Sequence, residues 1–504
     1  MQIPELLAPA GNLEKLKVAI HYGADAVYLG GARFGLRSQA DNFTPATMAE
    51  AVAYAHDRGV KVYLTVNSYP DTDELEELDS YLEEVAPIPF DAFIAADPGV
   101  IATIRRIVPE CTIHLSTQAN TTTWRSALFW QQQGISRINL AREMSLEAIR
   151  ETRRHVSAEL EVFAHGALCV AYSGRCLLSA VMTGRHANRG ECTHPCRWSY
   201  ALVEERRPGE YYPVTEDENG TFIFNSRDLC LIRHIPELVE AGADSLKIEG
   251  RMKGIHYVAS VVRVYREALD RYAADPAGYA FRPEWLEELS KVSHRGYTTG
   301  FLLGRPEAAD LEYDSRYLRS HDFLAVVDEI LTDGTAVLAV RNRIRPGWTM
   351  ELMGPGMRSD TFTLDTFTDQ NGAPLAEAHP NQRIRATLPG AAAPWDLLRR
   401  ETDGLGREGT GHHLPQRRCP NPLGDPGRHP AHPRHPRPLR GQGDILLFPG
   451  SRQHRQGGAP HHHPAGIPPD QPPAQRTGPA GAAGPSLGTA DPAPHHRQPA
   501  RRHH

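Results

Sequence analysis

The chain has 504 residues and a formal net charge of −6 at pH 7, long enough for two or three domains with cores of their own. That charge is unevenly divided, because residues 411–504 hold 12 Arg and four Asp with no Lys or Glu, a charge of +8 that leaves −14 on residues 1–410. An acidic body is not typical of nucleic-acid-binding proteins, so an RNA substrate would need a local basic patch.

The lack of a recognisable targeting signal and the cysteine content together predict a cytoplasmic protein. The N-terminal stretch MQIPELLAPAG has neither the basic region nor the apolar region of a secretory signal. No apolar run approaches the length of a membrane span, so we expect no membrane partner. Seven cysteines, an odd number, in a chain without a signal indicate reduced thiols.

Apolar strand-like runs alternate with amphipathic helical runs over the first half of the chain. Eight runs predict strands, at 5–10, 26–30, 61–67, 92–97, 112–117, 138–142, 160–166 and 245–250. Helical patterns separate them, as at 44–59, where Thr44 is the expected N-cap and Pro45 takes the first helical position. Eight βα units predict an α/β fold, a TIM-like (β/α)8 barrel over residues 1–275. No G-x-G-x-x-G follows a strand, which disfavours an open dinucleotide-binding sheet.

The rest of the chain changes character twice. A helical linker is expected over 276–319, and short strands between Gly, Asp and Pro turns predict a small antiparallel β-barrel over 320–395. A Pro/His/Gly/Arg-rich tail follows over 400–504; its last 94 residues, 411–504, hold 20 Pro, 13 His, 13 Gly and a single aromatic residue, Phe448. This composition cannot bury enough apolar surface to order a chain, so we expect disorder. The abrupt change is what a GC-rich reading frame yields out of register, and we interpret the tail as a frameshift product.

A cysteine-rich segment lies between the seventh and eighth predicted strands, as an insertion over 166–230. It contains Cys169, Cys176, Cys192 and Cys196, separated by six, fifteen and three residues. Only the last pair resembles a zinc knuckle, so the spacing favours an iron–sulfur cluster over zinc or unliganded thiols. A loop that follows a barrel strand lies at the catalytic face of a TIM barrel, which makes this segment a candidate part of an active site.

Four stretches give the chain a family resemblance. EVFAHGALCVAYSGRCLLS, NRGECTHPCRW, NSRDLC and SLKIEGRMK resemble, in the same order, the signature of the U32 peptidase-like family. The resemblance runs from about Pro4 to about Leu398. It implies a [4Fe–4S] cluster on a TIM-barrel-like domain followed by a small β-barrel. It also implies prephenate-dependent 5-hydroxylation of the wobble uridine, uridine 34, in tRNA, with tRNA and prephenate or another small carboxylate, and no DNA, as partners.

Polar residues at strand ends are the candidate substrate-binding residues, since such residues face the active site of a TIM barrel. The candidates after the third to sixth strands are Asn67, Asp97, Gln118 and Arg142. His165, at the end of the seventh strand, is a candidate catalytic proton donor. Its alternative role is that of a histidine hydrogen-bonded to a backbone carbonyl at the top of the barrel.

The stretch KIEGRMK at the eighth strand carries Lys247, Glu249 and Arg251. Lys247 and Glu249 share a face of a strand, so a buried ion pair between them is one expectation. In the functional interpretation Glu249 is catalytic, and Lys247 or Arg251 binds a carboxylate such as those of prephenate.

Two further cysteines have simpler expected roles. Cys230 is a fifth candidate ligand, but its helical pattern favours a small core residue. Cys111 is most simply a core residue as well.

Two other functions compete with tRNA hydroxylation. The family name allows a U32 (collagenase-like) peptidase, but the chain has no H-E-x-x-H or G-x-S-x-G motif, and the conceivable dyad is Cys169 with His165. The third possibility is a non-catalytic iron–sulfur RNA-binding protein.

Overall fold

The computed structural model describes residues 3–36, 41–169, 171, 175–176, 178–195, 215–217, 220–222, 227–304 and 317–408. All of them belong to one compact unit. The predictions for Cys196 and for the tail beyond residue 408 lie outside the described residues.

A closed barrel of eight parallel strands forms the first domain. The first seven are β1 (Glu5–Pro9), β2 (Ala26–Gly30), β3 (Lys61–Val66), β4 (Ala92–Ala95), β5 (Ile113–Leu115), β6 (Arg137–Asn139) and β7 (Glu159–Ala167). Each pairs in parallel with the next, and the eighth barrel strand, β11 (Ser245–Ile248), pairs with both β7 and β1. The predicted TIM-like barrel is therefore confirmed, and all eight strands lie where the apolar runs placed them.

Helices follow the strands and cover the outside of the barrel. They are α1 (Leu13–His21), α2 (Pro45–His56), α3 (Leu75–Val85), α4 (Pro98–Ile107), α5 (Trp124–Gln132), α6 (Leu146–His155), α8 (Ile235–Glu240) and α9 (Ile255–Ala274), whereas the short helix α7 (Leu178–Thr183) lies in the inserted segment. Thr44 caps α2 by accepting a hydrogen bond from the Thr47 amide, and Pro45 occupies the first turn, as the sequence predicts. No helix in the described ranges is long and apolar enough to cross a membrane.

Charged residues fill much of the barrel interior. Arg137 donates to Glu5 at 2.5 Å and to Glu159 at 2.6 Å, and Lys247 donates to Glu161 at 2.8 Å. A small apolar cluster packs beside them, formed by Leu7, Ala26, Tyr28, Tyr63, Ala92 and Ile94. The expected Lys247–Glu249 ion pair is thus wrong. Since Ser245 pairs with Glu161 across β11 and β7, Lys247 stands diagonally from Glu161 on the interior face.

The inserted segment adds strands outside the barrel. β8 (Thr215–Asp217) and β9 (Gly220–Phe222) form an antiparallel pair. β10 (Asp228–Cys230) pairs antiparallel with the end of β7, and β12 (Tyr297–Thr298) pairs with β10. The helical interpretation of Cys230 is therefore wrong, because residues 228–230 pair with 165–167 and helical backbone begins only at Ile232. Cys230 is 7% exposed and belongs to the apolar core.

The second domain is a six-stranded antiparallel sheet that curls around its own core, which confirms the predicted small β domain. Its strands are β13 (Tyr317–Ile330), β14 (Ala336–Val340), β15 (Trp348–Met353), β16 (Ser359–Leu364), β17 (Arg383–Ala386) and β18 (Leu397–Glu408), in the order β16-β15-β18-β13-β14-β17. The helix α10 (Pro283–Ser290) lies in the predicted linker.

The predicted end of this domain at 395, and the start of the tail at 400, are too early. β18 continues to Glu408 and pairs along β13 as far as Tyr317. Its sequence LLRRETDGLGRE is rich in charge and lacks an alternating apolar pattern, so local periodicity did not mark it as a strand. Its partners β13 and β15 lie far from it in the chain, and pairing with them decides its conformation.

Candidate active site and metal centre at the mouth of the barrel

A cavity of about 1120 Å³, a volume that includes its open mouth, lies at the carboxyl ends of the barrel strands. Six of the predicted polar residues line it: Asn67, Gln118, Arg142, Lys247, Glu249 and Arg251. The inserted segment contributes Cys169, Cys176 and Cys192 to the same wall. One space therefore collects predicted residues from four strand ends and from the cysteine segment, as expected for the catalytic face of this fold.

The three described thiols lie close enough to influence one another. Burial raises the pKa of the Cys169 thiol, and Cys176 and Cys192 push that pKa in the same direction. The Leu178 amide donates to the Cys176 sulfur at 3.4 Å, and His194 Nδ1 lies 3.8 Å from the Cys192 sulfur. Pro195, the residue directly before Cys196, also lines the cavity. Soft sulfur ligands with N–H donors around them are the surroundings that iron–sulfur clusters take.

The thiols are not arranged around a single ion. Within the described ranges, no group of three His, Cys, Asp or Glu side chains is positioned to hold one metal ion. A tetrahedral zinc site would need its sulfurs gathered about one centre at about 2.3 Å, whereas a multi-iron cluster takes thiolates that stand further apart.

Arg142 lies over an aromatic ring. Its guanidinium carbon is 3.7 Å from the centre of the Phe163 ring, and its Nη2 is 3.7 Å from Glu249 Oε2. Stacking holds the guanidinium face and leaves its N–H edge for an acceptor. Arg142 and Glu249 are 11% and 16% exposed, so a ligand in the cavity can reach both.

Arg251 is buried and held by the strands beside it. It is 3% exposed and donates to Thr65 Oγ1 at 3.1 Å and to Asn42 Oδ1 at 2.5 Å. A Cβ on Gly30 would lie 2.6 Å from Arg251 Nη1, so only glycine at the end of β2 leaves room for this guanidinium. Sequence analysis missed Gly30; the Gly–Gly pair that closes β2 is the signal that marks it.

Lys247 has a different setting from the one expected. Its Nζ is 2.8 Å from Glu161 Oε1 and 4.4 Å from the centre of the Tyr28 ring, and both charged residues are almost fully buried. Glu161 therefore neutralises Lys247 inside the barrel, which leaves Arg142 and Arg251 as the better candidates for binding an anion.

His165 does not line the cavity. Lys247 pairs with Phe163 but Ile248 pairs with His165, so β7 has one extra residue here, a bulge that turns His165 to the outside of the barrel. Its ring packs among Tyr257, Tyr265 and Tyr297, with centroids 5.4–5.9 Å away. Burial lowers its pKa to about 3, and neither ring nitrogen has a hydrogen-bond partner among the described residues. The expected proton donor is thus a neutral core residue, and the expected bond to a backbone carbonyl is not present either.

The remaining candidates divide between the cavity and the scaffold. Asn67 donates to Ser116 Oγ at 3.1 Å and accepts from the Leu36 amide at 3.3 Å. Asp97 caps α4 by accepting from the amides of Gly99 and Val100, so it serves the helix rather than the site. Sequence analysis also missed Asn139, which projects into the cavity from β6.

Comparisons with known proteins cover nearly all of the described chain. Residues 11–312 match the family described as Peptidase family U32, and residues 319–399 match the Peptidase family U32 C-terminal domain. The chain is 43% identical to the tRNA hydroxylation protein P1 of Bacillus subtilis, over 79% of this chain and 94% of that protein. It is 38% identical to the tRNA hydroxylation protein P of Escherichia coli, over 78% and 94%. It is 36% identical to the 23S rRNA 5-hydroxycytidine C2501 synthase of Escherichia coli, over 60% and 45%.

Proposed function

Because this chain belongs to peptidase family U32, we propose that it is an iron–sulfur enzyme that hydroxylates uridine in tRNA. The observation that carries the proposal is one cavity lined both by Cys169, Cys176 and Cys192 and by Arg142 and Arg251. Relatives named for tRNA hydroxylation match over 94% of their length, so the activity in their names concerns the whole described chain. The finer proposal is prephenate-dependent hydroxylation at C5 of uridine 34.

The four cysteines Cys169, Cys176, Cys192 and Cys196 would hold a [4Fe–4S] cluster. Three of them line one cavity, and the fourth directly follows a residue that lines it. Such a cluster supplies one-electron redox chemistry when bound. The Leu178 amide hydrogen bond to Cys176 would stabilise the thiolate form that ligation requires.

Two guanidinium groups suit a small dicarboxylate such as prephenate. Arg142 is held by its ring contact with Phe163, and Arg251 by Thr65 and Asn42, so each is ordered before a ligand arrives. Guanidinium binds carboxylate through paired N–H donors, and preordering reduces the entropy lost on binding. Lys247 contributes less, because Glu161 already compensates its charge.

Glu249 is the residue placed to handle a proton. It is the one carboxylate among the described residues that line the cavity, and Arg142 lies beside it. A carboxylate at this place can accept a proton from a bound base.

The mouth of the barrel also meets the objection raised by the acidic composition. Arg142 and Arg251 line the cavity, and exposed Arg175 lies beside Gln118 at its edge. Cations gathered there create a local positive field although residues 1–410 carry −14. A single-stranded anticodon loop could present its base to such a mouth.

Mass spectrometry of tRNA nucleosides tests the proposal. A strain that lacks this chain should lose 5-hydroxyuridine-derived nucleosides at the wobble position, and the wild-type chain should restore them. A chain with Arg142→Met should restore them poorly, while Arg125→Met, a change at an exposed arginine on α5, should restore them fully. An unchanged nucleoside profile in the deletion strain would refute the proposal.

The two competing functions fare differently. The dyad of Cys169 with His165 is wrong, because His165 faces the tyrosines outside the barrel. A non-catalytic RNA-binding protein would leave the nucleosides unchanged, so the same measurement separates it from the proposed enzyme.

A further inference from the structure

Two residues that line the cavity each carry a buried side-chain carbonyl oxygen with no hydrogen-bond partner among the described residues. Gln118 is 7% exposed and Asn139 is 2% exposed, and both line the cavity. Gln118 Oε1 and Asn139 Oδ1 bond to nothing in the described part of the chain. Buried acceptors are nearly always satisfied in native proteins, so these two indicate a ligand that brings N–H donors.

Two hydrogen bonds hold the backbone at Gln118, so the position from which its side chain extends is fixed. The backbone carbonyl oxygen of Gln118 accepts hydrogen bonds from the Tyr69 hydroxyl at 2.6 Å and from Arg175 Nε at 2.8 Å. Gln118 lies in a short 3-10 helix, Thr117–Ala119. This helix ends at Asn120, whose φ of 59° lies in the left-handed region, so the chain reverses sharply just after Gln118. Arg175 precedes Cys176 directly, and through it the cysteine segment holds the backbone of Gln118 in place.

The side-chain oxygens of Gln118 and Asn139 are hydrogen-bond acceptors, and this property indicates which kind of ligand they bind. A carboxylate offers only acceptors and would be repelled by them, so the small acid is not their partner. The Watson–Crick edge of uracil offers an N3–H donor between two carbonyl oxygens. A carboxamide can accept that N–H and donate to the neighbouring oxygen in the bidentate manner that carboxamides use on base edges.

The rim beside Gln118 suits a single-stranded loop as well. Arg175 stacks over Tyr69, with its guanidinium carbon 5.3 Å from the ring centre, and also donates to the Tyr69 hydroxyl at 2.7 Å. Aromatic rings and guanidinium planes are the surfaces on which unpaired bases stack.

We infer that Gln118, with Asn139 in the same cavity, recognises the target base by accepting the N3–H of uracil. This inference rests on the proposed function and deepens it, because it names the residue that selects the base. Gln118 is here a specificity residue that contacts the substrate, and it takes no part in holding the cluster.

Binding of anticodon stem–loop RNAs to the full chain tests the inference. The chain is purified anaerobically, and fluorescence anisotropy compares loops that carry uridine or 3-methyluridine at the wobble position. The methyl group replaces the N3–H donor by a larger apolar group, so the Gln118 variants are needed to assign the lost preference to the missing donor. Wild-type protein should prefer uridine by about tenfold, the order expected when a buried acceptor loses its donor. Gln118→Leu should reduce that preference to about twofold or less, while Gln132→Leu, the same change at an exposed position of α5, should keep it.

The outcomes separate the inference from the proposed function. Iron content and thermal midpoint show whether Gln118→Leu folds, and Gln118→Met, an unbranched side chain of similar length, replaces it if it does not. Equal binding of the two loops by wild-type protein, or an undiminished preference in the variant, overturns the inference even if wobble nucleosides still depend on this chain in cells. If no loop binds and the deletion strain keeps its nucleosides, the proposed function fails and the inference fails with it.

Discussion

At the scale of single residues, the role of a side chain depends on the face of the strand that it occupies. Lys247 and His165 both sit near the carboxyl ends of barrel strands, yet one fills the barrel interior and the other packs among three tyrosines outside. One bulged residue in β7 makes this difference. The cysteines differ in the same way, since Cys169, Cys176 and Cys192 line the cavity while Cys230 lies in the core.

Replacing any one of the four proposed cluster ligands should lower the iron content without unfolding the protein. Anaerobically purified chain should contain about four irons, the content of one such cluster. Cys169→Ala, Cys176→Ala, Cys192→Ala or Cys196→Ala should each lower iron content and abolish the proposed hydroxylation of wobble uridine, because each removes a proposed cluster ligand. Cys111→Ala, outside the cavity, is the control and should leave both unchanged. Protein that carries one zinc and no iron would contradict the cluster assignment.

His165 should make the free energy of unfolding decrease as the pH falls. Burial lowers its pKa from 6.5 to about 3, opposed by Asp228 and aided by His294 and Lys253. Below about pH 6.5 the unfolded chain takes up a proton on His165 while the folded chain does not. The contribution of the neutral His165 to the free energy of unfolding is therefore complete above that pH and is lost as the pH falls toward 3.

Replacing His165 by phenylalanine tests this linkage. Between about pH 6 and about pH 4, the free energy of unfolding of wild-type protein should fall more steeply than that of His165→Phe, by about 1.4 kcal/mol per pH unit. Urea unfolding at a series of pH values measures both slopes. Parallel curves would show that His165 does not titrate in this way, and hydroxylation should survive the change because the ring lies outside the cavity.

At the scale of elements, a buried arginine on the last strand joins three pieces of the fold. Arg399 on β18 is fully buried and forms two hydrogen bonds of 2.7 Å with Glu288 on α10. It also donates to Glu351 on β15 at 2.7 Å. Burial alone would raise the pKa of Glu288, but the hydrogen bonds and charge of Arg399, with the charge of Arg263, lower it to about 2.

Removing Arg399 should destabilise the protein strongly. Arg399→Met leaves Glu288 and Glu351 without their principal partner, and breaking a buried pair from one side costs about 3–5 kcal/mol. Arg341→Met is the matched control, because Arg341 pairs with Glu14 at an exposed site and exposed pairs contribute about 0–1 kcal/mol. Denaturant unfolding compares the two, and equal losses would show that Arg399 does not join these elements.

At the scale of the whole molecule, the chain combines a parallel barrel, a segment inserted over its mouth and a curled antiparallel sheet. The barrel places strand ends around one space, and the insertion brings the cysteines to that space. The β domain extends to Glu408, well beyond the end expected from sequence.

Shortened chains test where the folded part ends. A chain that ends at residue 410 should keep its thermal midpoint and activity, because the composition beyond lacks apolar residues for a core. A chain that ends at residue 396 should lose both, because it lacks β18 and with it Arg399. A fall in thermal midpoint for the longer of the two chains would show that the last segment stabilises the fold.

The amino-acid sequence alone determined the barrel and most of its mouth. A strand buried on both faces, such as AVYLG in β2, must be continuously apolar, and helical runs between such strands allow few arrangements. Polar residues that follow these runs, Asn67, Gln118 and Arg142 among them, then lie at one end of the barrel. These signals are local, so they can be recognised without knowing the fold.

Only the tertiary structure decided which partners these residues meet. Lys247 pairs with Glu161, 86 positions earlier, and His165 turns outward because β7 and β11 pair with a bulge. Gly30 matters because Arg251, far along the chain, needs the space above it, and β18 is a strand because β13 and β15 lie beside it. Register and close approach arise between segments distant in the chain, and no local pattern encodes them.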